Sequence, residues 1–151
     1  MPAKEDLLKK LSQQKDKSAA TRPEILAEWR KSLNELFRVF AEWLAEAVAE
    51  NLLKVGEIPV EIQEEQLGSY DAPSLKIVTP QGVAVYIVPK ARIVVGAYGR
   101  VDFECSPNRC SLVRTAPDRW QFSNLSPSRG GWSFEDLTED SFWKVLQYLL
   151  S

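Results

Sequence analysis

Two carboxylates spaced two residues apart are the first candidates in this chain for a catalytic metal site. Asp102 and Glu104 alternate with apolar residues in segment 100–105, so both side chains belong to one face of a predicted strand. With Lys76 or Lys90 nearby, such a pair would suit the metal site of a nuclease. Neither lysine directly follows the acidic pair, and outward carboxylates on a strand are usually solvated, so we interpret both as surface residues.

Histidine is absent from the sequence, which removes the commonest general base and the commonest metal ligand. The two cysteines, Cys105 and Cys110, cannot complete a tetrahedral zinc site without carboxylates or a second chain. No G-x-S-x-G, Walker or Rossmann pattern occurs. The sequence therefore predicts a protein that is not an enzyme and that binds neither a metal nor a cofactor.

The same two cysteines flank a predicted four-residue hairpin loop at 106–109. In such a hairpin Cys105 and Cys110 would face each other on the inner side, near enough for a disulfide. The chain opens on charged residues without a signal peptide, and no apolar run reaches membrane-spanning length. We therefore predict a cytoplasmic protein without membrane association, with both thiols buried and unlinked.

The strongest functional hint is a basic stretch from Lys76 to Arg129, which contains eight basic residues and three acidic ones. By strand alternation Arg92, Arg100 and Arg119 are expected on the polar face of the sheet, whereas the direction of Arg114 is ambiguous. Arginine is well suited to recognising phosphates and carboxylates. The sequence predicts a partner-binding surface made of Arg92, Arg100, Arg109, Arg119 and Arg129; a solvated face with internal ion pairs is the alternative.

These side chains would be positioned by a sheet that packs on a long helix at residues 22–55. Apolar residues there recur at steps of three and four, Pro23 suits a first helical turn, and Gly56 suits a stop. Residues 1–21 are predicted to form a short helix or a flexible arm, joined through a polar linker at 15–20.

After Gly56 the apolar period changes to two, and tight turns separate six to seven short segments within 57–123. Strands joined by short turns must pair antiparallel. A last helix is predicted at 138–150 with Thr138 as its N-cap. The predicted fold is therefore α+β: a long N-terminal helix, an antiparallel meander and a C-terminal helix packed on the sheet, all in a single domain at 22–151.

The long helix carries more apolar surface than one sheet contact needs. The surplus lies between Leu36 and Val48, and burying a large apolar side chain contributes roughly 1.5–3 kcal/mol. We therefore predict a homodimer whose interface contains Leu36, Val39, Phe40, Trp43 and Ala47; a single thick core within one chain is the alternative.

Together these patterns favour a non-catalytic protein-interaction module, such as an adaptor, an inhibitor or an immunity-type component, that binds a protein partner and self-associates through its long helix. The alternative function is a nucleic-acid-binding accessory protein that uses the arginine-rich sheet face.

Overall fold

The computed structural model describes residues 2–94, 96–123 and 134–151, and within the first helix it describes the side chains of residues 3–11 and 23–49. Within these residues one helix precedes seven strands and a second helix follows them. In chain order the elements are α1 (Pro2–Ala49), β1 (Lys54–Glu64), β2 (Gly68–Val78), β3 (Ala84–Ala91), β4 (Arg100–Cys105), β5 (Asn108–Ala116), β6 (Arg119–Ser123), β7 (Phe134–Asp136) and α2 (Glu139–Leu149). The strands form one antiparallel sheet in sequence order, so the predicted α+β meander is confirmed.

The first helix is longer than the sequence indicated at its start and shorter at its end. It runs for 48 residues and contains Pro23 in its interior, so the predicted break at 15–20 and the predicted start at residue 22 were wrong. The polar segment 15–20 holds neither glycine nor proline, and its lysines and alanines are good helix formers, which explains why the helix continues through it.

Asn51, not Gly56, ends this helix. The N–H of Leu52 donates to the carbonyl of Ala47 at 2.9 Å, and the N–H of Asn51 donates to that of Val48 at 3.1 Å. These two bonds form a Schellman motif, and Asn51 takes its left-handed position with φ of 59°. The predicted helix end at residue 55 was therefore wrong, and Gly56 lies within β1.

Three details of the meander differ from the prediction. Among the described residues of the predicted strand at 92–97, Val94 and Ala97 form an isolated bridge and the others lie in a connection. In addition β7, which was not predicted, adds a strand beyond β6. The β4–β5 hairpin turns through Ser106 and Pro107 alone, because Cys105 already pairs with Asn108.

Both helices pack on one face of the sheet, which we call the inner face. The Phe40 ring of α1 lies 5.6 Å from the Phe103 ring of β4 and 5.1 Å from the Phe142 ring of α2, measured between centroids. All three side chains are fully buried. The close approach of α1 is helped by Gly99, because a Cβ there would lie 2.3 Å from the Trp29 ring.

The last helix begins as the sequence predicts. Thr138 accepts the N–H of Ser141 at 3.1 Å, and the Ser141 hydroxyl accepts the N–H of Thr138 at 2.8 Å. This capping box fixes the start of α2, and Phe142, Leu146 and Leu149 then reach the inner face as buried side chains.

Candidate interaction surface

The face of the sheet opposite the helices, here called the outer face, carries most of the predicted polar residues. Because Phe103 points inward, its alternating neighbours Asp102 and Glu104 belong to the outer face. Strand register then assigns Ser111 and Arg109 of β5, which pair with these two carboxylates, to the same face.

The predicted arginine surface is present in part. Arg100, Arg109 and Arg119 belong to the outer face, as their register on β4, β5 and β6 requires. Arg92 does not join them: it follows the last residue of β3, is half-buried, and holds its guanidinium 5.6 Å from the centre of the Tyr98 ring. Arg129 lies outside the described residues.

Glu64 explains why Arg92 leaves the strand pattern. Its carboxylate accepts the backbone N–H of Arg92 at 3.0 Å and that of Ile93 at 2.8 Å, and it also accepts the hydroxyl of Tyr70. Tyr70 in turn accepts the indole N–H of Trp29 at 3.1 Å. This network holds Arg92 and Ile93, at the start of the β3–β4 connection, to the β1–β2 hairpin and to α1, and the strand ends before them at Ala91.

Most of the cations on the outer face have carboxylate partners within the chain. Ion pairs join Lys90 to Glu104 at 2.9 Å, Arg100 to Asp102 at 2.8 Å and Arg119 to Asp136 at 2.9 Å. Hydrogen bonds from Gln121 and Arg119 lower the pKa of Asp136, and the hydrogen bonds that Arg100 donates to Asp102 raise the pKa of Arg100. Lys76 lies 5.7 Å from the Tyr86 ring centre, and Arg109 has no ion-pair partner among the described residues.

An open groove of about 550 Å³ crosses this face. Its floor is strand β5, whose alternating residues Arg109, Ser111, Val113 and Thr115 all line it. The connection that Glu64 holds lines one end of the groove, through Val94, Gly96 and Ala97. Phe134 of β7, half of whose side chain is exposed, lines the other end near Arg109. This groove was not predicted from the sequence, because it depends on the course of the β3–β4 connection and on β7.

The two carboxylates that suggested a nuclease site, Asp102 and Glu104, both bind side chains of the same chain. Asp102 is fully buried and accepts two bonds from Arg100, each of 2.8 Å, and one of 3.0 Å from the Ser111 hydroxyl. Glu104 pairs with Lys90. Among the described residues, no cluster of three histidine, cysteine, aspartate or glutamate side chains is placed to hold a metal ion. Within the same residues, neither helix contains a stretch long and apolar enough to cross a membrane.

Sequence reasoning missed one charged pair on the inner face. Arg114 is fully buried and forms a two-point ion pair with Glu28 of α1, while its guanidinium also donates to the carbonyl of Pro117 at 3.1 Å. The hydrogen bond from Arg114 lowers the pKa of Glu28, and the charge of Arg92 adds to this effect. The parity of Arg114 with the buried residues Cys110 and Leu112 was the signal that could have revealed it.

The cysteines are unlinked and buried, as predicted, but they do not face each other. In the two-residue hairpin Cys105 opposes Asn108, and Cys110 opposes Phe103. Burial raises the pKa of the Cys110 thiol to about 11, and the nearby charge of Asp102 contributes to the shift. The predicted opposition of the two thiols was therefore wrong because the loop is shorter than expected.

The predicted dimer interface coincides in part with the core of the chain itself. Leu36 and Phe40 are buried beneath α1, so they offer no free surface. Val39, Trp43 and Ala47 are half-buried, and the Trp43 ring lies 5.3 Å from the Phe142 ring of α2. The part of the surplus apolar surface at Phe40 and Trp43 therefore contacts α2, whereas Val48 is exposed. Homodimerisation through the remaining residues stays a prediction.

Comparisons of this chain with family models, with curated proteins and with solved structures found no match.

Proposed function

We propose that this protein is a non-catalytic protein-interaction module that binds a partner protein on the outer face of its sheet. The observation that carries the proposal is the groove along β5, which lies on the face that neither helix covers. Sites that bind small ligands are typically concave and combine apolar side chains with a few polar groups, and we expect the same of a groove that takes a short segment of a partner protein. The groove has both: Val94, Val113 and Phe134 are apolar, and Arg100 and Arg109 are charged.

The ion pairs on the outer face favour a protein partner over nucleic acid. Affinity for nucleic acid depends on cations that neutralise phosphates and release counterions. Here Lys90, Arg100 and Arg119 already neutralise carboxylates of the same chain. The exposed aromatic Tyr86 lies beneath Lys76, which makes it a poor stacking platform for a base. Weak retention on heparin that is lost at a low salt concentration would agree with a protein partner rather than nucleic acid.

Self-association through α1 is the second part of the proposal. The residues that support it differ from those of the interface predicted from the sequence. Leu7, Leu8 and Leu11 are about half exposed. Leu8 and Leu11 precede the core-facing residues Leu26 and Trp29 by five helical turns, at 3.6 residues per turn. They therefore extend the apolar stripe of the helix, and a second copy of the chain is the occupant we propose for it.

The experiment for the main proposal is photo-cross-linking in cells that produce the protein. Benzoylphenylalanine replaces Tyr86, which is exposed on the outer face, or Glu35, which is exposed on α1 and serves as the control. We expect an adduct with a different protein at position 86, and at position 35 no adduct other than one with a second copy of this chain. Adducts confined to position 35, or adducts to nucleic acid alone, would contradict the proposal.

A further inference from the structure

The groove on the outer face has a polar floor with unused hydrogen-bonding capacity. Arg100 uses its Nε and Nη2 atoms on Asp102, and its Nη1 atom takes no part in that pair. Arg109 is exposed at the far end. The remaining N–H groups of these two arginines are the donors that the groove offers to a ligand.

The groove combines apolar side chains with positive charges. Val94 and Val113 line one part and Phe134 another, so these parts favour apolar groups. Among the described residues, the charged ones that line the groove are Arg100 and Arg109, which favours an anion between the apolar parts. A volume of about 550 Å³ on an open surface suits a few residues of extended chain better than an enclosed metabolite.

From this we propose that the groove binds an acidic peptide segment, in which an aspartate or glutamate carboxylate reaches the two arginines and its apolar neighbours contact Val113 and Phe134. The inference rests on the proposed function and assigns the chemistry of the partner. A carboxylate is the better match because Asp102 already neutralises Arg100, which leaves the charge of Arg109 to be balanced by a singly charged group.

The test begins with a library of random displayed peptides selected on the wild-type protein. Synthetic copies of the selected peptides are then titrated against Arg109→Ala, which removes a groove cation, and Val113→Trp, which fills the groove. The matched controls are Arg119→Ala and Tyr86→Trp, because both residues belong to the outer face without lining the groove. Circular dichroism confirms that each variant is folded, and Arg109→Glu replaces Val113→Trp if the latter is not.

We expect selected peptides rich in aspartate and glutamate, whose affinity falls about ten-fold in both groove variants and is unchanged in both controls. Peptides without acidic enrichment, or peptides that bind Val113→Trp as tightly as wild type, would overturn the inference. A failure to select any peptide would also overturn it. Cross-links from position 86 would in each of these cases still support the proposed function. Displacement of the peptides by oligothymidylate would reassign the groove to nucleic acid.

Discussion

Arg100 and Asp102 form a two-point ion pair along a single strand of the outer face. Nε of Arg100 lies 2.8 Å from Oδ1 of Asp102, and Nη2 lies 2.8 Å from Oδ2. The carboxylate is almost fully buried, whereas the guanidinium is about two-fifths exposed. The pair therefore places one half-exposed cation at the edge of the groove and fixes its direction.

Replacing Asp102 with Asn should destabilise the fold, because the buried side chain then offers one acceptor where Arg100 and Ser111 make three bonds. We expect a loss of about 1–3 kcal/mol in the free energy of unfolding, measured with urea. The control is Asp136→Asn, whose pair with Arg119 is more than half exposed, and which should cost less stability than Asp102→Asn. Equal losses for the two variants would contradict the burial of Asp102.

The pair between Glu28 and Arg114 should make stability depend on pH on the acidic side. The pKa of Glu28 in the folded state lies below the ordinary value of 4.5. The stabilisation is therefore present at pH values above 4.5 and is lost as the pH falls through the folded-state pKa. Glu28→Gln should cost about 1–2 kcal/mol at neutral pH, less than for a fully buried pair because Glu28 is nearly half exposed.

Urea unfolding of wild type and Glu28→Gln at a series of pH values checks this. The difference between the two proteins should shrink as the pH falls below 4.5. A difference that stays constant across this range would show that the carboxylate charge contributes nothing to stability. The exposed neighbour Glu24, in the variant Glu24→Gln, provides a control that should cost less stability at neutral pH than Glu28→Gln.

Both thiols should react slowly in the native protein. Cys110 is buried with a pKa raised to about 11, so little thiolate forms at neutral pH, and Cys105 is buried as well. Alkylation with iodoacetamide followed by mass measurement should give little adduct in buffer and two adducts in denaturant without reductant. A species two hydrogens lighter that resists alkylation in denaturant would contradict the unlinked state.

Self-association should depend on the leucines near the start of α1. The triple variant Leu7→Gln, Leu8→Gln and Leu11→Gln should be monomeric by light scattering at micromolar concentration, while wild type is dimeric. Its stability should change by less than about 0.5 kcal/mol because these side chains are about half exposed. The double variant Lys9→Gln and Lys10→Gln is the control. A monomeric wild type, or a triple variant with the mass of a dimer, would contradict this part of the proposal.

The sequence predicted the elements whose signals are local. Thr138 as a cap and the alternation of segment 100–105 depend on neighbouring residues, and both predictions are confirmed. The end of α1 was misjudged because glycine is the commoner residue in a left-handed cap, whereas here Asn51 takes that position.

The candidate site was harder to predict because it depends on contacts between distant segments. The position of Arg92 is set by Glu64, which lies 28 residues earlier in the chain. The direction of Arg114 is set by Glu28, which is 86 residues away. Strand alternation alone therefore assigned Arg100 and Arg119 correctly and Arg92 incorrectly, and it gave no sign of the groove.

The most direct measurement of the central claim is methyl NMR of the protein bound to the partner captured by cross-linking. Val88 and Val113 belong to the outer face, whereas Val39 and Val48 belong to α1. Binding on the outer face predicts that the methyl signals of Val88 and Val113 shift on titration with the partner, while those of Val39 and Val48 stay in place. Shifts confined to Val39 and Val48 would contradict the account and assign the partner to the helix.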